Sequence, residues 1–410
     1  MTVRQLVSIC LAWTLAATSG PELAADRRQA APPTPAPSKA AELVDRSFEA
    51  AYNLDHDEAI ALVRQAITAG PDDPDTHRAL AAILWLNILF RRGAVTIDHY
   101  MGGVTKSIGS LPKPPVELTD EFHRELDTSI RLAEARLSKS PQDIDAKYAL
   151  ASSYALQASY DAAVEGSTFA AFKSAKRAYD LSEEVLTRQP NRAEAAIVVG
   201  SYRYLVASFN LPTRWFAYVA GFGGGKDKGI ALVESALKDS EARVDACTAL
   251  ILIYSREGRF EDALKLLAQL ERAYPRNRIF VLEIGATNIR AGHPAEAESV
   301  LTAGLSQLEH DSRLKLPGER ALWLYKRGAA RVVLHHAADA QSDLRAALDA
   351  SPVEWVRGRI HLELGKTEDL QGHRAAALGE YRQAHTIADA NNDPIGSSAA
   401  TRYEHQPFDR

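Results

Sequence analysis

Twelve histidines, two cysteines and one glycine-rich stretch are the residues here whose types could do chemistry. Eight of the histidines fall in residues 293–405, including His335-His336, His361, His373 and His385. A helical zinc site needs two ligands on one face, as in His-x-x-x-His or His-Glu-x-x-His, or a cysteine pair. None of those spacings occurs, so the histidines read as surface residues, with His335 and His336 in a turn between helices. No Gly-x-Ser-x-Gly elbow is present. Neither Cys247 nor any paired carboxylate has the neighbours a nucleophile or general acid needs. No catalytic residue, metal or cofactor is assigned, and the chain reads as a non-enzyme.

The glycine-rich stretch, Gly221-Phe222-Gly223-Gly224-Gly225-Lys226-Asp227, approaches a phosphate loop without matching it. That loop needs four residues between its glycines and a hydroxyl after the lysine. Here there are three, and Asp227 stands where the metal-binding hydroxyl belongs. A tight turn that brings two helices close is the expected reading.

Composition narrows the classes further. The chain has 410 residues, 46% hydrophobic and 25% charged, the balance of a protein that buries a core. A formal charge of −5 leaves no electrostatic footprint for nucleic acid. Residues 1–25 read as a secretory signal: Arg4, then an apolar run from Leu6 to Ala17, then small residues suited to cleavage. The run is far shorter than the ~20 residues of a spanning helix. Residues 26–39 form a Pro/Ala-rich linker, and only Cys247 remains beyond the signal, so stability rests on packing rather than a disulfide.

The elements that would position any site come from an internal repeat. Gly258-Arg259-Phe260-Glu261-Asp262-Ala263-Leu264 is followed 34 residues later by Gly292-His293-Pro294-Ala295-Glu296-Ala297-Glu298. Similar blocks centre on Ala340 and Ala377. A glycine stands 12 residues before three of the alanines: Gly285 before Ala297, Gly328 before Ala340, Gly365 before Ala377. Small residues at both places let two antiparallel helices approach, and proline stops the second helix before the next unit.

This grammar resembles that of tetratricopeptide repeats, in an exported bacterial form. The resemblance implies an all-α fold, a right-handed α-solenoid of about eight helix-turn-helix units. Residues 40–240 would hold N-terminal repeats, 241–390 the regular ones, and 391–410 a C-terminal tail. In the first half the gap between paired small residues widens to 48 from Ala81 to Ser129, 27 from Ala151 to Ala178, and 29 from Gly200 to Gly229. Insertions of about 36, 15 and 17 residues are therefore expected between helices, all on one edge.

The resemblance also implies a groove lined by first helices, with Asp245, Thr248, Ser255, Arg256, Leu282, Arg290, Tyr325, Arg359, Lys366 and Asp369 pointing inward. Such a mixture suits a protein or peptide partner. Ala249 and Leu252 replace polar residues of the carboxylate clamp in chaperone-binding relatives, so that specialised role is not expected. The insertion edge would carry Tyr100, Arg214, Trp215, Tyr218 and Phe222. Its aromatics are expected to bury themselves in the groove, the alternative being contact with a partner or a membrane surface. The functional expectation is an exported, periplasmic scaffold for cell-envelope assembly or maintenance. The alternative is a small-molecule-binding accessory component of a solute uptake system, with a closed aromatic cavity near Trp215 and Tyr100.

Overall fold

The computed structural model describes residues 38–101, 111–209, 211–240 and 242–409. The signal at 1–25 and nearly all of the linker at 26–39 lie outside them. The fold is all-α, with nineteen helices and no strand among the described residues. In order they are α1 (Lys39–Tyr52), α2 (His56–Ala69), α3 (Pro74–Arg92), α4 (Asp98–Met101), α5 (Val116–Lys139), α6 (Ile144–Ala163) and α7 (Thr168–Arg188). Then come α8 (Ala193–Ala207), α9 (Leu211–Val219), α10 (Lys226–Ala236), α11 (Arg243–Arg256), α12 (Phe260–Ala273) and α13 (Arg278–Ala291). The last are α14 (Pro294–His310), α15 (Glu319–Val333), α16 (Ala337–Asp349), α17 (Glu354–Leu370), α18 (Arg374–Ala390) and α19 (Pro394–His405).

The chain divides into two compact units. The first holds residues up to Leu89, then Pro114–Ile253 and Ala273–Arg276; the second holds Phe90–Lys113, Tyr254–Arg272 and Asn277–Arg410. The first insertion, with α4, thus belongs to the second unit.

In the first unit α1 pairs with α2, α6 with α7, and α8 with α10. Caps explain several boundaries. The Ser38 hydroxyl accepts from the Ala41 amide at 3.2 Å, and the Asp143 carboxylate from the Ala146 amide at 2.8 Å. Each satisfies a donor that the first turn leaves unpaired. The expected insertion between Ala151 and Ala178 does not exist as a loop. Instead α6 and α7 are lengthened to 20 and 21 residues and joined by a tight turn. Adding about two turns to each partner preserves antiparallel pairing, so a widened spacing need not mean an insertion. The third insertion is real and carries α9.

The first hairpin also meets sequence-distant parts of the same unit. The Tyr52 hydroxyl donates to Asp245 Oδ1 at 2.7 Å, the Tyr52 and Tyr274 rings lie 5.2 Å apart, and Arg276 pairs with Asp55.

In the second unit α13 pairs with α14, α15 with α16, and α17 with α18. The spaced glycines set these crossings. A Cβ on Gly285 would lie 2.5 Å from the Leu301 side chain, one on Gly328 2.8 Å from Leu344, and one on Gly365 2.4 Å from Tyr381. The companion alanines Ala297, Ala340 and Ala377 are wholly buried. Gly292 ends α13 in the left-handed conformation, φ 85°, which glycine adopts without a Cβ penalty. A buried charge cluster ties α13 to α15: Arg278 donates to Glu319 at 2.6 and 3.0 Å, to Asp311 at 2.9 Å and to the Leu314 carbonyl at 2.6 Å.

The segment expected to be a tail is structured. Pro394 and the Asp393 side chain, which accepts from the Gly396 amide at 3.0 Å, start helix α19. Tyr403 of α19 stacks on Tyr381 of α18, with ring centres 5.6 Å apart. A closing helix of this kind covers the apolar face of the last repeat.

Candidate functional site

Two places stand out, one in each unit. On the inner face of the second unit, α13 presents Glu283 and Arg290 and α15 presents Tyr325 and Lys326. Against them lies the first insertion. Asp98, at the start of α4, accepts from Arg290 Nη1 at 2.9 Å and pairs with Lys326. The Ile97 amide donates to Glu283 Oε1 at 3.0 Å, and the Tyr100 hydroxyl to the Ala94 carbonyl at 2.6 Å. Burial would raise the Asp98 carboxyl, but the charges of Lys326 and Arg290 outweigh it and hold it well below the usual carboxylate range. Glu283 goes the other way: burial pushes it up against the pull of Arg290. The result is an ionised carboxylate clasped by cations from two successive first helices.

Arg359, Lys366 and Asp369 among the remaining groove candidates are also engaged within their own unit. Arg359 grips Asp393 with two bonds, at 2.5 and 2.7 Å, and Lys366 pairs with Glu363 at 2.7 Å. Asp369 accepts from Arg374, from the Tyr381 hydroxyl at 2.8 Å and from the Phe408 amide at 2.8 Å. Asp245, Thr248, Ser255, Leu282 and Tyr325 are buried, and Arg256 is half-buried. The expectation of an open groove lined by all of these does not describe them. In the second unit, the insertion and the C-terminal segment supply partners for the polar inner-face residues.

The second place is α9, in the third insertion. Leu211, Trp215 and Val219 recur every four residues, one helical face, and are 71, 68 and 66% exposed; Tyr218 beside them is 43% exposed. Buried Ala217 and Phe222 anchor the insertion from the other side. Phe222 packs against Phe172, Tyr179 and Tyr202, with ring centres 5.5, 5.2 and 6.1 Å away. The expectation that the aromatic cluster buries itself holds for Phe222 and fails for Trp215 and Tyr218. Tyr100, placed on the same edge by sequence, is buried in the second unit. Arg214 is half-buried and donates to the Ala207 carbonyl at 3.4 Å.

The glycine stretch is a packed turn. The Gly223 amide donates to the Tyr179 hydroxyl at 2.9 Å, and a Cβ on Gly224 would collide with the Tyr218 ring. Gly225, at φ 120°, leads into α10. The amide that a phosphate would need is already used. Cys247 is buried, and burial pushes its thiol up to about 12, which suppresses the reactive thiolate. His336 stands at the N-terminal boundary of α16 and His335 in the turn before it, as the spacing predicts. No grouping of three or more potential metal ligands occurs among the described residues. Nor is any helix among them long and apolar enough to cross a membrane.

With this geometry in view, comparison with known proteins is informative at one segment. Residues 248–309 match the family model described as tetratricopeptide repeat. Those residues carry the tetratricopeptide-repeat pattern. The matched segment runs from α11 to α14, which is two helix-turn-helix units of the regular stretch. No curated protein matches the sequence. Among solved structures, yeast Tom70 is 12% identical, with 90% of this chain and 96% of that one covered and a TM-score of 0.39. A Rap protein complexed with competence and sporulation factor is 12% identical over 89 and 96% of the two chains, at 0.42. A tetratricopeptide repeat protein from Parabacteroides merdae is 15% identical over 80 and 99%, at 0.31.

Sequence reasoning located Arg290 and Arg359 through the tetratricopeptide register. It missed Asp98, Glu283, Lys326 and Asp393. Glu283 and Lys326 lie on the same first helices and were within reach of the register. Asp98 was not, because nothing local encodes where an insertion lands.

Proposed function

We propose that this protein is an exported, non-enzymatic scaffold that binds a polypeptide partner in a bacterial cell envelope. The signal-like residues 1–25 support export to the periplasm, and tetratricopeptide repeats support an interaction role. The observation that carries the proposal is the exposed row Leu211, Trp215, Val219 on α9. Large apolar side chains aligned on a folded helix are the usual mark of a contact surface, and Trp and Tyr are the residues that concentrate binding energy. A polypeptide fits this face better than a lipid surface. Interfacial helices carry a polar face rich in Lys and Arg, whereas α9 has Arg214 as its lone cation. The small-molecule alternative needs a closed aromatic cavity, and the exposure of Trp215 speaks against it.

The test is recovery of a partner from envelope extracts with the purified full chain. Leu211→Asp with Trp215→Asp should reduce recovery at least tenfold while circular dichroism stays unchanged. Undiminished recovery by the folded double variant would remove α9 from the account.

A further inference from the structure

We infer that α9 and the tip of the α6–α7 hairpin form one docking surface, which takes an amphipathic helix of a partner polypeptide with carboxylates beside its apolar stripe. The inference rests on the reading of α9 as a polypeptide contact and names the chemistry of that partner.

The two elements meet through the loop that follows α9. Phe222 packs on Phe172 of α7 with ring centres 5.5 Å apart, and Lys176 Nζ lies 5.8 Å from the Phe222 ring centre. A Cβ on Gly221 would lie 3.5 Å from the Lys176 side chain. Phe169 stands two helical turns before Lys176, so both side chains leave α7 in nearly the same direction. Phe169 thus projects on the side where the insertion sits, and it is 82% exposed. Nine large apolar side chains are exposed among the described residues, and five are here: Phe169, Leu211, Trp215, Tyr218 and Val219. Single exposed apolar residues are ordinary, whereas their concentration on one edge marks an interaction site.

Shape selects a helix. Leu211, Trp215 and Val219 make a row about 12 Å long at ~1.5 Å per residue, with Phe169 on a separate helix beside it. Both elements spend their backbone hydrogen bonds internally, so strand addition is not open to a partner. Apolar residues at i, i+3, i+4 and i+7 of a partner helix match such a row.

Charge narrows the choice. Residues 164–180 and 211–228 carry six lysines and arginines against three carboxylates, in a chain of formal charge −5. Asp180 is taken up by Lys176. Lys173, one turn after Phe169, is exposed and has no ion pair among the described residues, and the same holds for Lys228 of α10. The Lys228 stem lies 3.5 Å from the Cβ position of Gly225, next to Gly224, whose own Cβ would strike the Tyr218 ring. Uncommitted cations therefore flank the apolar row from α7 and from α10, and carboxylates of a partner complement them. A bilayer fits less well, because it would also press the exposed acids Glu165 and Asp227 against anionic headgroups.

The probe is a labelled peptide of about fourteen residues, four helical turns, with leucine on one face and glutamate and glutamine on the other. A lysine-for-glutamate version is the control. In fluorescence anisotropy the acidic peptide should bind the full chain at least tenfold tighter than the basic one, and about 0.5 M salt should remove most of the difference by screening. Lys173→Glu with Lys228→Glu should weaken the acidic peptide at least tenfold and Phe169→Asp at least fivefold, with circular dichroism unchanged. Equal binding of the two peptides, no binding of the acidic one, or binding that these variants leave intact would overturn the inference. Binding to phosphatidylglycerol vesicles that Trp215→Asp abolishes would give the face to lipid and overturn it as well. In the envelope recovery assay, loss with Leu211→Asp and Trp215→Asp but full recovery with Lys173→Glu and Lys228→Glu rejects this inference alone. Undiminished recovery with both pairs rejects the α9 reading too.

Discussion

Asp245 shows how a single residue can look like a binding group and be something else. Its position on α11 suggested an inward-facing ligand contact, yet its carboxyl is buried and accepts from Tyr52. Burial pushes its pKa up to about 7, opposed by the Tyr52 hydrogen bond and the charge of Arg78. The unfolded chain gives up this proton near the ordinary value of about 3.9. Between roughly pH 4 and 7 the folded state therefore holds a proton that the unfolded state has lost, and stability falls as pH rises through that window. The slope contributed by this group is about 1.4 kcal/mol per pH unit, and it vanishes above the folded pKa. Asp245→Asn keeps an acceptor for Tyr52 and removes the charge. Its melting temperature should exceed that of the unaltered chain by a gap that widens from pH 4 to 7 and is constant above. A gap that is the same at every pH would show that Asp245 is not the titrating group. The register placed this residue on a first helix; it could not foresee that the first hairpin comes back to cover it. Contacts across 193 residues leave no local trace.

Helices were the most legible level. The 34-residue period, the spaced small residues and the helix-stopping prolines pointed to hairpins, six of which are paired among the described residues, because each unit must satisfy the same packing constraint locally. Where the constraint was met differently the reading failed. The extra residues between Ala151 and Ala178 lengthened two helices instead of forming a loop, and spacing alone does not separate those outcomes. Helix α19 was passed over because it has no second helix and so no paired small residues, although Asp393-Pro394 is a helix-start signal. The close crossing of α8 and α10 is the sharpest test of the packing argument. A Cβ on Gly200 would lie 2.7 Å from the Gly229 carbonyl oxygen, so Gly200→Ala forces backbone apart and should cost about 1–3 kcal/mol. Gly379, inside α18, has open space around its Cβ direction, and Gly379→Ala should stabilise by roughly 0.5–1 kcal/mol through helix propensity. Urea denaturation of both variants checks the pair. Equal effects of one sign would mean that crossing distance does not govern these hairpins.

At the scale of the whole molecule, the protein is an all-α chain whose second unit engages Arg290, Lys326, Arg359 and Asp369 internally and whose first unit leaves α9 exposed. The internal repeat and the near-neutral charge pointed from sequence to the proposed interaction role. Which surface serves it was not readable, because exposure of Trp215 and engagement of Arg290 are decided by where two insertions settle. The central claim is that the α9 face meets a specific polypeptide. A photo-crosslinking amino acid placed at Trp215 in cells tests it most directly, with the same group at exposed Leu314 as control. The account predicts a discrete adduct with one polypeptide from position 215 and none from 314. No adduct at 215, or the same adducts at both positions, would contradict it.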